Sequence, residues 1–276
     1  MAKIALLGAG GKMGCRIADN LLKTEHDVAH VEISEVGRNR LRDRGIGVVE
    51  AAVAVQDADV VILAVPDNRI GSVAETTVPV MRSGATLIVL DAAAPYAGHL
   101  PNRADVSYVA CHPCHPSVFN EEADPLARQD HFGGVAAKQN VVCALIQGAD
   151  TDYARAADVV AAMFAPVIQV YRVTLENMIL LEPVLSETTA ATCVTVIREA
   201  MDEAVKRGVP AAAARAFILG HLNVELAIIF EEIDSPFSDG ALKAIASARS
   251  QIFRADWKSV FEPANVRDSV AAIVAS

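Results

Sequence analysis

Two stretches of this chain leave little choice of fold. Ala58–Val65 reads ADVVILAV and stops at Pro66, and Ala85–Leu90 reads ATLIVL and stops at Asp91. Neither alternates apolar with polar residues, so each needs cover on both faces, as a strand inside a parallel sheet does. Lys3–Leu7, Val28–Ile33 and Tyr108–Cys111 are shorter runs of the same kind, and Ala51–Val55 begins a further alternation. Helical spacing lies between them, as at Met13, Ile17, Leu21 and Leu22. Strands alternating with helices predict a doubly wound α/β sheet. Asn140–Ile146 and Val167–Val173 add two strands around an alanine-rich helix near Tyr153–Phe164. From Thr174 the strand signal ends. The chain then reads as one helix through Glu203, a break at Gly208, Val209 and Pro210, a second helix over Ala211–Glu232, and shorter pieces after Pro236 and Pro263. The predicted organisation is a sheet domain over residues 1–173, with its boundary near Val173, and an all-helical domain over residues 174–276.

The length of 276 residues suits two domains. A net charge of −10 leaves no basic field for a phosphate backbone, which excludes nonspecific nucleic-acid binding. Hydrophobic residues make up 53% of the chain, yet no uninterrupted apolar run reaches the roughly 18–20 residues a membrane span needs. Glu176, Glu182 and Glu187 break one apolar stretch, and His221, Asn223 and Glu225 break another. The surplus apolar surface therefore predicts a homo-oligomer, most simply a homodimer, formed through Met178–Ile197 and Phe217–Phe230. Five cysteines scattered through the chain do not form a disulfide framework, and MAKIALLGAG is no signal peptide. Both point to a cytoplasmic protein with reduced thiols.

The first turn reads Gly8, Ala9, Gly10, Gly11, Lys12, Met13, Gly14. Methionine at 13 fits the spacing Gly8, Gly11, Gly14, with Lys12 and Met13 on the same turn. Such a turn brings backbone close to a pyrophosphate and presents the free amides of a helix N-terminus to it. Glu32 ends the next strand, where a carboxylate accepts hydrogen bonds from both adenosine ribose hydroxyls and repels a 2′-phosphate. The fold class is thus Rossmann-type, with NAD preferred over NADP, and Arg38 and Arg40 read as solvated helix charges. Asp67, after the run ending at Pro66, lies either near the nicotinamide or at a helix N-cap. The small residues of Asp91–Tyr96 suit the lining of a substrate pocket.

The segment Cys111, His112, Pro113, Cys114, His115, Pro116 leaves a predicted strand at the same sheet edge. A structural zinc knuckle would need a second close Cys or His pair, and Cys143 and Cys193 have none. Two imidazoles on a stiff loop beside a hydride acceptor suit a general base or a catalytic metal. Carboxylate partners available in the helical part are Glu182, Glu187, Glu231 and Glu232, and His221 and Glu225 share a helix face four residues apart.

GAGGKMG, AVPDN, DAAAPY and HPCHPSVF, in that order and ahead of an all-helical domain, resemble the dehydrogenases with a phosphogluconate-dehydrogenase-type C-terminal domain. The resemblance covers most of the chain and is most specific at HPCHP. It implies NAD-dependent oxidation of a branched sugar acid, followed by a metal-assisted skeletal rearrangement related to that of ketol-acid reductoisomerase run backwards. Carried onto this sequence, His115 and Glu187 become metal ligands, and His112 and Glu182 become proton-transfer groups, with His221 and Glu225 as lesser candidates. Imidazole with carboxylate favours zinc over magnesium. A plain hydroxy-acid dehydrogenase without rearrangement and a non-catalytic NAD sensor are the alternatives.

Overall fold

A computed structural model describes residues 1–275. Seven strands form one sheet: β1 (Lys3–Leu7), β2 (Asp27–Val31), β3 (Val60–Leu63), β4 (Thr86–Val89), β5 (Ser107–Pro113), β6 (Gln139–Gln147) and β7 (Val167–Arg172). Their spatial order is β2-β1-β3-β4-β5-β6-β7. The first five strands are parallel, β6 runs antiparallel to β5, and β7 is parallel to β6. The chain steps from β1 outward to β2 and then crosses to β3 on the other side of β1. That switch opens a crevice at the carboxyl end of β1, where ligands bind in open α/β sheets.

Between the strands lie helices α1 (Lys12–Leu21), α2 (Glu35–Arg42), α3 (Ala51–Gln56), α4 (Asp67–Thr77), α5 (Ala93–Tyr96), α6 (Pro125–Gln129) and α7 (Asp150–Met163). Leu6, Ile62, Ile88 and Val109 turn one sheet face toward Ile17 and Leu21 of α1 and Val160 of α7. The intervening residues Ala5, Val61, Leu63, Leu87 and Val89 are equally buried on the other face. Cover on both faces is the physical reason the strands read as continuous apolar runs. Ala51–Val55 differs from the expected alternation because it is helical. A strand would place Val53 and Val55 on one face, but Val53 is 69% exposed and Val55 1%.

Beyond β7 come α8 (Leu175–Ile179), a π-helix over Leu180–Ala191, α9 (Thr192–Lys206), α10 (Ala211–Ile229), α11 (Asp239–Ile252) and α12 (Pro263–Val274). The chain divides into two compact units, one of Met1–Leu181 with the residues from Arg267 on, the other of Glu182–Val266. The division falls after Leu181 rather than near Val173, and part of α12 belongs to the sheet unit. Leu175–Lys206 and Ala211–Ile229 are long and apolar enough by length and composition to cross a membrane. The requirement for an uninterrupted run passes over both because charges punctuate them.

Truncating the core at Leu6, which has no exposed surface, is expected to cost about 2–5 kcal/mol in Leu6→Ala. Urea unfolding measures this. A change below the experimental error would show that this sheet face is not packed as described.

Candidate cofactor and proton-transfer site

The glycine loop is shaped by its neighbours. Gly8 has φ +78°, and a Cβ there would lie 2.3 Å from the Ala64 carbonyl oxygen. A Cβ on Gly10 would lie 2.4 Å from Gly37 Cα, so loop and α2 meet backbone to backbone. Gly11 is the N-cap of α1 and has no side chain to cap it, which leaves the first-turn amides around Lys12, Met13 and Gly14 facing the crevice. Gly10 and Gly37 escape the sequence reading, because their requirement comes from a crossing 27 residues apart in the chain.

Glu32 follows β2 and is buried. Its Oε2 accepts from the Gly10 N–H at 2.9 Å and its Oε1 from the Ser34 N–H at 2.8 Å. Burial by itself would raise its pKa. Hydrogen bonds from the Ser34 backbone and hydroxyl and from the Gly10 and Ile33 amides outweigh burial and hold the carboxyl below its ordinary range. Arg38 and Arg40 are exposed, as solvated helix charges are, and each also braces the backbone. Arg38 Nε donates to the Glu32 carbonyl at 2.8 Å and an Arg40 guanidinium nitrogen to the Gly10 carbonyl at 3.1 Å.

Three titratable groups gather at the ends of β3, β4 and β5. Asp67 is the first residue of α4, and its N-cap is Pro66. Asp91, past the end of β4, is buried and accepts from the Ala93 N–H at 2.6 Å. His112 lies on β5 with Nδ1 3.1 Å from the Leu90 carbonyl. A carbonyl only accepts, so Nδ1 carries the hydrogen and Nε2 is the basic or ligating atom. A ring nitrogen of His112 and a carboxylate oxygen of Asp91 lie within 4.8 Å of each other. Loss of hydration, then the Asp91 charge, raises the pKa of Asp67, against a smaller lowering by His112. Asp91 is a functional candidate the sequence reading treated only as pocket lining. Its signal was its place, a carboxylate at a strand's carboxyl end.

His115 stands near this group. Its φ is +61°, uncommon for a non-glycine residue and more so before a proline, here Pro116. Its Nδ1 is 2.9 Å from the Phe132 carbonyl, and its ring meets those of His112 and Phe132 edge-on at centroid distances of 5.9 and 5.8 Å. Cys111 is buried and Cys114 exposed.

Glu182 and Glu187 belong to the second unit. Both lie on the π-helix, held by the Thr188 hydroxyl donating to the Pro183 carbonyl at 2.6 Å and the Thr189 hydroxyl to the Val184 carbonyl at 2.8 Å. An α-helix separates positions five apart by about 140° around its axis, whereas the wider i→i+5 turn brings them within roughly 50°. The two carboxylates consequently share a face. On α10, His221 Nδ1 is 2.9 Å from the Phe217 carbonyl, and the ring stacks on Phe217 at 3.9 Å; Glu225 lies one turn further along the same helix.

Residues 120–274 match the family described as phosphogluconate dehydrogenase (decarboxylating), C-terminal, and residues 3–95 match coenzyme F420-dependent NADP oxidoreductases. A D-apionate oxidoisomerase from Cupriavidus necator is 51% identical over 98% of this chain and 99% of its own length. One from Rhizobium rhizogenes is 50% identical over 99% of this chain and all of its own. A crystal structure of a semialdehyde dehydrogenase NAD-binding protein from Cupriavidus necator, in complex with calcium and NAD, superposes with a TM-score of 0.97 at 51% identity, covering 99% of both chains.

Glu32→Gln keeps the shape and removes the charge. It is expected to weaken NAD binding about tenfold, as loss of charged hydrogen bonds does, and to narrow the preference for NAD over NADP. Titration of both cofactors tests this, and an unchanged ratio would remove Glu32 from cofactor selection. The depressed carboxyl also adds stability above the ordinary carboxylate range, and that stability is lost as pH falls through its folded-state value. The acid limb of unfolding against pH is therefore expected to flatten in the same variant.

Proposed function

Because this chain belongs to the D-apionate oxidoisomerase family, within the dehydrogenases with a phosphogluconate-dehydrogenase-type C-terminal domain, we propose that it converts D-apionate to 3-oxo-isoapionate. It is an NAD-dependent oxidoreductase. The observation that carries the reading is the approach of Asp91 to His112 at the carboxyl edge of the sheet, the edge that also carries the glycine loop.

In the proposed reaction the C2 carbinol gives its hydride to the nicotinamide and its hydroxyl proton to a base. His112 suits that base, since its Nδ1–H is held by Leu90 and the Asp91 carboxylate stands beside the ring to stabilise an imidazolium. Deprotonating the 3-hydroxyl then forms the C3 ketone as the hydroxymethyl group moves with its bonding electrons from C3 to C2. The former C2 carbonyl oxygen takes up a proton. Glu182 is the proposed second proton-transfer group.

Imidazole nitrogens and carboxylates on this chain form a mixed donor set suited to a borderline divalent ion, zinc ahead of magnesium. His115 and Glu187 are the proposed ligands, with the buried Asp91 carboxylate as a further donor. Such an ion, when bound, polarises a ketone and acidifies a neighbouring hydroxyl.

A cytoplasmic homodimer is proposed as the working form. Phe217, Leu219, Val224 and Ile229 lie exposed around α10 in the single chain, apolar surface that a second copy would cover.

Incubation with NAD and a panel of branched and linear sugar acids is expected to yield NADH with the branched acids, and carbon NMR to show a rearranged skeleton. An unrearranged keto acid would reduce the function to simple dehydrogenation. Chelation is expected to lower turnover and zinc to restore it, and full activity after exhaustive chelation would remove the metal. For the dimer, sedimentation of Phe217→Asp with Ile229→Asp is expected to show monomers with unchanged helix content. A monomeric parent protein, or one that partitions into membranes, would overturn that assignment.

A further inference from the structure

We infer that Asp130 is a positioning residue for His115, fastening a surface loop to the cofactor-binding helix so that the Phe132 carbonyl sets which ring nitrogen of His115 carries the proton. This rests on the proposed role of the His112–His115 segment, but its spectroscopic test does not.

Asp130 sits at the end of α6 with its side chain 3% exposed. Its Oδ1 takes a hydrogen bond from the Arg16 guanidinium at 2.8 Å, and its Oδ2 accepts from the amides of Val135, Ala136 and Ala137 at 3.0, 3.0 and 3.3 Å. One buried carboxylate thus gathers four donors, and the loop closes around it.

Arg16 lies on α1, the helix whose N-terminus faces the cofactor crevice. Its guanidinium also donates to the Gly133 carbonyl and lies 5.7 Å from the Phe132 ring centroid. One turn along α1, Asn20 donates to the Gly134 carbonyl at 3.0 Å. Two helix side chains therefore hold the loop on either side of a single rigid turn. Phe132 lies with His131 between these anchors and Asp130, and its carbonyl receives His115 Nδ1–H.

His115 needs such a restraint. Its left-handed backbone, followed by Pro116, is a costly conformation that persists only where the surroundings over-determine it. Without a fixed carbonyl partner, a neutral imidazole divides its hydrogen between the two nitrogens, and Nε2 loses its standing as the lone-pair atom.

The test uses histidine labelled with nitrogen-15 in the full-length protein, without added metal and above the pH of ring titration. Two-bond proton–nitrogen spectra report the tautomer, and His115→Gln assigns the signal. The parent protein is expected to show His115 as a single Nδ1–H tautomer. In Asp130→Asn the signal is expected to move to a mixture, and kcat to fall about tenfold or more while KM for NAD stays within about twofold. Arg16→Gln, which leaves the amide contacts of Asp130 in place, is expected to show the same mixture and stands in should Asp130→Asn fail to fold. Phe132→Leu keeps the carbonyl and is expected to keep the tautomer. A folded Asp130→Asn with a pure Nδ1–H signal, or a parent protein protonated at Nε2, would overturn the inference. Absence of turnover on every sugar acid would instead overturn the proposed reaction and leave the tautomer result standing.

Discussion

The central strands β1, β3 and β4, covered on both faces, meet water only at their ends, and the chemistry of this protein follows from that constraint. Alternate residues of β1, β3 and β4 are buried on opposite sides, so neither face offers room for a polar site. The carboxyl edge is where polar groups can stand. Across the order β2, β1, β3, β4, β5 that edge carries Glu32, the glycine loop, Asp67, Asp91 and His112. With neighbouring strands about 4.8 Å apart, one turn per strand lays out a path from Glu32 to the Asp91–His112 pair.

The carboxylates along this edge show how environment divides one chemical class into two roles. Glu32 is buried, but donors of Ser34 and the amides of Gly10 and Ile33 surround it, so it is held as an anion. Asp67 loses hydration and faces Asp91, so it is biased toward its protonated form. Nothing in the residue types separates the two. The difference is the number of N–H groups that reach each one, which is the usual basis for separating acid from base in a site.

The continuous runs at Ala58–Val65 and Ala85–Leu90 were legible because parallel strands need no alternation, and Gly8, Gly11 and Gly14 because a tight strand-to-helix turn demands them. Ala51–Val55 misled because two valines two apart fit a strand face as well as a short helix with one of them outside. The π-helix was illegible for a related reason. Pro183 signals an irregularity, but the placing of Glu182 and Glu187 on one face depends on Thr188 and Thr189 turning back to carbonyls five residues earlier. Asp130 lay in a segment that reads as an ordinary polar loop, and its four donors come from residues before and after it.

By itself the sequence determined the alternation of strands and helices and the glycine turn of a dinucleotide-binding fold, because these depend on neighbours within a few residues or on a short repeat. Tertiary structure alone decided that Gly10 meets Gly37, that Asp91 meets His112, and that the Phe132 carbonyl meets His115. Each of those contacts joins segments far apart in the chain, and only the packed sheet and its helices bring them together.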